Sequence, residues 1–136
     1  MVLLGKKSKL PIGHIKKKFI CLVAVCLMLT PSTAFAHGDL SSSNPKASST
    51  ISKLPKIIWV EFDGKLITIA DKQTNFLTVK NSKGVELSDG KAFVSGARIS
   101  VKIKDRSAAG KIKVSWRVVS EDGHPVTSFL TFNVKR

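Results

Sequence analysis

This sequence of 136 residues predicts an all-β domain, and three observations carry that expectation. In the C-terminal hundred residues, apolar side chains recur at every second position; turn signals rich in glycine, asparagine and aspartate separate these stretches; no window there sustains helical periodicity. Period-two alternation sets one face of a strand on a core and the other in water, as half-buried antiparallel strands require. About seven short strands without internal repeats predict an immunoglobulin-like Greek-key β-sandwich or small barrel.

The elements follow in order. The serine-rich stretch Ser41 to Ser52 is expected to form a first edge strand and its loop. Ile58, Val60 and Phe62 alternate with Trp59 and Glu61 in the next strand, although Trp59 puts apolar area on the second face. Leu66 to Ile69, Phe76 to Lys80 and Lys91 to Val94 are further short candidates. The clearest alternation lies later: Ile99, Val101, Ile103; then Ile112, Val114, Trp116, Val118; then Leu130, Phe132, Val134. Turn signals fall between them at Asp63-Gly64, Asn81-Ser82-Lys83-Gly84, Ser88-Asp89-Gly90 and Ala108-Ala109-Gly110.

The first 36 residues read differently. Residues 1 to 18 hold six lysines and no acid, Phe19 to Leu29 is an apolar run of 11 residues, and Ala34-Phe35-Ala36 follows. A basic start, a short apolar run and a small-x-small site are the parts of a secretory signal, and the run is shorter than the roughly 20 residues of a spanning helix. Cleavage after Ala36 is expected, leaving a single domain from His37 to Arg136 in the periplasm or outside the cell.

That cut removes both cysteines (Cys21, Cys26), both methionines (Met1, Met28) and His14. The remaining hundred residues therefore hold no sulfur and two histidines, His37 and His124. Thiol catalysis, zinc–thiolate sites and iron–sulfur clusters are excluded from the mature domain. GxSxG, HExxH and phosphate-cradling glycine loops are absent as well. Seventeen basic residues against nine acids leave about +8. The cations stand one or two at a time among apolar residues, as on solvated strand faces, so nucleic acid is not an expected partner, and weak association with an anionic envelope fits better.

Two features remain that carry chemistry. An N-terminal histidine offers its free α-amine and its imidazole Nδ1, which can close a chelate ring on one metal. Asp122 and His124 flank Gly123 in Ser120-Glu121-Asp122-Gly123-His124-Pro125, and Pro125 biases His124 toward extended backbone. Taken singly, each feature reads as an accident of cleavage or a simple turn. Together they supply three nitrogens and one carboxylate oxygen without sulfur, a donor set suited to Cu(II).

These residues also carry a resemblance. The start His37-Gly38-Asp39-Leu40-x-x-Ser43-x-Pro45 is similar to the AHAxLxxSxP opening of CopC-type periplasmic copper-binding proteins. Val114-Ser115-Trp116-Arg117-Val118-Val119-Ser120-x-Asp122-Gly123-His124-Pro125-Val126 resembles that family's second hallmark, and Phe129 to Val134 continues it. The resemblance implies a Greek-key sandwich and a site for one Cu(II) ion built from His37, Asp122 and His124. Two departures matter: without a mature methionine, the Cu(I) loop of some members is expected to be absent, and Phe62-Asp63-Gly64 stands where the family has phenylalanine-serine-glutamate. Ser128 also replaces a glycine of the second hallmark.

The expected function is a monomeric, non-catalytic copper carrier or buffer serving transport, scavenging or resistance, with a membrane copper permease or a cuproenzyme as recipient. A histidine-brace copper oxidoreductase, of the lytic polysaccharide monooxygenase kind, is the alternative from another class. Asp122 would then occupy a position that oxygen activation needs open. A metal-free adhesion sandwich is the third reading.

Overall fold

The computed structural model describes residues 38–135; the expected signal segment, His37 and Arg136 lie outside the described residues. Eight strands form in this stretch: β1 (Leu40–Asn44), β2 (Thr50–Ile51), β3 (Ile57–Phe62), β4 (Phe76–Asn81), β5 (Phe93–Ser95), β6 (Arg98–Lys102), β7 (Gly110–Val119) and β8 (Pro125–Val134). They make two four-stranded sheets, ordered β1-β3-β6-β5 and β2-β8-β7-β4. Only β5–β6 and β7–β8 are consecutive strands paired within one sheet; every other connection crosses between the layers. All pairs are antiparallel except β2–β8, a two-residue parallel edge.

Alternation sets the inward faces. Ile58, Val60 and Phe62 of β3 and Ile99 and Val101 of β6 face Leu77 and Val79 of β4, Ile112, Val114, Trp116 and Val118 of β7, and Leu130, Phe132 and Val134 of β8 across one core. Leu54, Leu66 and Leu87 close it from the loops. Burying such a side chain contributes roughly 1.5–3 kcal/mol, so these residues carry the fold without a cross-link. The long β7–β8 hairpin runs in unbroken register from Gly110↔Val134 to Val119↔Pro125, which delivers the turn between them to one end of the sandwich.

Two expectations need correction. The Ser41–Ser52 segment yields two short strands, on different sheets, rather than one edge strand. Leu66 to Ile69 is not a strand. Its backbone is shared among several partners: Leu66 N–H donates to Gly96 O, Ile67 N–H to Val119 O, and Ile67 O accepts from Thr74 and Asn75 side chains. No single neighbour offers it a ladder. It serves instead as a tie between the sheets, beside the β7–β8 turn.

Candidate metal centre

Three segments meet at the turn end of the sandwich. The first is the turn itself, Ser120 to His124. Gly123 takes a left-handed backbone (φ 83°), which glycine adopts without steric cost, and its N–H donates to Ser120 O at 2.8 Å. Ser120 N–H reaches back to His124 O at 3.2 Å, closing the loop. Asp122 Oδ1 accepts from the Ser120 hydroxyl at 2.5 Å and from His124 N–H at 3.1 Å. Its other oxygen, Oδ2, lies 3.2 Å from His124 Nδ1. The turn thus brings Asp122 and His124 side by side and leaves the imidazole 76% exposed.

The hydrogen bonds also set the charge of Asp122. The Ser120 hydroxyl first, and the His124 backbone N–H second, hold its carboxyl down at about 2. Any metal meeting it near neutral pH meets a carboxylate, with no proton to displace.

The second segment is the start of the described chain. An added Cβ on Gly38 would stand 2.9 Å from Val126 Cγ2 and 3.8 Å from Ser120 Oγ, so the glycine backbone lies against the turn and the first residues of β8. Its φ of 144° is one that side-chain-bearing residues rarely adopt. Gly38 is buried there.

The third segment is the end of β3. Asp63 Oδ1 accepts from Gly38 N–H at 2.7 Å, and Asp63 N–H donates to Asp39 O at 3.0 Å. Asp63 therefore pins the chain start from both its side chain and its backbone. Beneath it, Phe62 meets Trp116 edge-on, with ring centroids 6.0 Å apart. Among the described residues, no group of three or more histidine, cysteine, aspartate or glutamate side chains is close enough to hold a metal. Asp122 and His124 form a pair, and the remaining expected donor, His37, lies outside the described residues.

Sequence reasoning missed two supports. Ser120, fully buried, reads as an ordinary turn serine until its hydroxyl is seen on Asp122. Asn75, 4% exposed, accepts from Val119 N–H at 2.8 Å and donates to Ile67 O at 2.7 Å, clamping the end of β7 to the inter-sheet tie. Nothing around Asn75 in the sequence signals this.

A family model, the CopC domain, matches residues 40–135. The chain belongs to the CopC family. It is 32% identical to copper resistance protein C of Pseudomonas syringae pv. tomato over 88% of this chain and 97% of that protein. It is 24% identical to copper transport protein CutJ of Bacillus subtilis, of which it spans only 22%. The crystal structure of PcoC, a methionine-rich copper resistance protein from Escherichia coli, superposes with a TM-score of 0.56 at 29% identity, covering 74% of this chain and all of that one. Membership of the CopC family fits the two-sheet sandwich, and the segment Val114 to Val126 singled out in the sequence forms β7 from its middle onward, the turn and the start of β8.

Proposed function

We propose that this CopC-family protein is an exported, non-catalytic Cu(II) carrier. Cleavage after Ala36 makes His37 the first residue, and one ion is held by its α-amine and imidazole together with Asp122 and His124. The observation that carries the reading is the seat of Gly38 against Ser120 and Val126, which brings the start of the described residues to the turn that holds the Asp122–His124 pair. The donors would be nitrogen and oxygen alone, which favour Cu(II) over the softer Cu(I). PcoC is described as methionine-rich. The mature chain here has no methionine, so a comparable thioether site has nothing to be built from.

The test is one added residue. A glycine placed before His37 turns the α-amine into an amide, a far poorer donor, while every side chain stays. Cu(II) affinity is expected to fall more than tenfold, about 1.4 kcal/mol or beyond, in a competition titration. A free α-amine titrates at about 7.7–8.0, so affinity of the unextended protein should also rise as pH climbs toward that range. Equal affinity for the two proteins would rule out the amine as a ligand.

A further inference from the structure

The two sheets differ on their outward faces. On the β1-β3-β6-β5 sheet, Arg98 is already engaged: it pairs with Glu61 and lies 3.9 Å from the centroid of the Trp59 ring. The β2-β8-β7-β4 sheet has no such balance. Its outward positions hold Lys80 on β4 and Lys111, Lys113 and Arg117 on β7, with no acid on any of its four strands. Among the described residues, none of these four cations forms an ion pair. The nearest carboxylate in the ladder, Glu86 opposite Lys80 beyond the β4 edge, accepts from Val79 N–H and the Ser88 hydroxyl.

Two phenylalanines stand among these cations. Phe76 is 41% exposed and pairs with Arg117 across β4–β7; Phe129 is 57% exposed, and Lys113 Nζ lies 4.2 Å from its ring centroid. Further outward positions hold the hydroxyls of Thr78, Ser115, Thr127 and Thr131 and the amide of Asn133, which pairs with Lys111. A soluble polyanion uses the cations of such a face but gains nothing from the phenylalanines. An anionic bilayer uses both, because rings enter the boundary between headgroups and acyl chains while lysine and arginine meet phosphate.

We propose that the outward face of the β2-β8-β7-β4 sheet docks reversibly on an anionic phospholipid surface. The same β7–β8 hairpin carries the Asp122–His124 turn at its tip, so docking would hold that turn near the membrane plane. The proposal requires no metal and is tested without one.

Cosedimentation of the exported protein with phosphatidylglycerol vesicles, compared with phosphatidylcholine vesicles, reads it out. Binding is expected to phosphatidylglycerol alone and to weaken as salt shortens the screening length. Each cation near the surface contributes about fivefold, so Lys111→Gln with Lys113→Gln should lower vesicle affinity roughly 25-fold. Phe129→Ser should lower it about tenfold, and Lys102→Gln on the opposite sheet should leave it unchanged. These are exposed side chains, and circular dichroism establishes that each variant is folded; if the double variant is not, Lys80→Gln with Arg117→Gln makes the same test. Equal binding to both lipids, or no loss in the folded cation variants, would overturn the proposal. So would loss with the cation variants but not with Phe129→Ser, which points to a soluble polyanion such as a wall polymer.

Discussion

The body of the β7–β8 hairpin and its tip are built by opposite rules. In the body, Ile112, Val114, Trp116 and Val118 line the core beside Leu130, Phe132 and Val134, and each side chain is one of many sharing a common apolar load. At the tip, each polar atom has one or two named partners: the Ser120 hydroxyl on Asp122, the Asp122 carboxylate on His124 N–H, Asp63 on Gly38 N–H. Burial of area is non-directional and tolerates exchange of similar volumes. Hydrogen-bonded geometry at a corner does not. The body should therefore govern stability, and the tip should govern metal binding with little effect on stability.

Phe132→Ala would test the first half most severely. Phe132 is 1% exposed, and truncating such a residue costs about 3–5 kcal/mol. The urea midpoint should fall by a large fraction of the whole stability, while any fraction still folded retains its Cu(II) affinity. Weaker copper binding by that folded fraction would show that body and tip are coupled.

Gly38→Ala should do the reverse. The new Cβ meets Val126 Cγ2 at 2.9 Å, and φ of 144° disfavours a side chain, so a local cost of about 1–3 kcal/mol is expected. The chain can relieve it by lifting the segment before β1 off the turn. Thermal stability should then change by a few degrees at most, while Cu(II) affinity drops several-fold in a titration. An unaltered affinity would separate the seat of Gly38 from the metal site.

The smallest effect concerns charge at the tip. Because the Asp122 carboxyl is held down at about 2 in the folded protein, its hydrogen bonds stabilise the turn fully above about pH 4 and are lost as pH falls through 2. Ser120→Ala removes the larger cause, so the carboxyl should titrate closer to its ordinary value of 3.8. Following the Asp122 carboxyl carbon by NMR across acid pH gives the midpoint directly. A midpoint unmoved by the substitution would mean that His124, through its backbone N–H and its ring, holds the charge without Ser120.

Most of the sandwich was legible because strand alternation is a local signal: every second residue of β3, β6, β7 and β8 declares its face. Leu66–Ile69 was misread because a short apolar run has the same composition whether it joins a ladder or divides its hydrogen bonds among several partners. The Asp122–His124 pair was legible too, since a glycine between them and a proline after them confine a five-residue turn.

The sequence alone thus determined the alternating faces and the turn that sets Asp122 beside His124. Which segments meet was decided only by the tertiary structure. Gly38, Asp63 and Ser120 are separated by 25 and more residues, and only the pairing of β1 with β3 and the tie at Leu66–Ile67 bring them to one corner. The clustering of four cations and two phenylalanines on one sheet has the same origin. Alternation fixes that they point outward, but strand order in the sheet makes them neighbours.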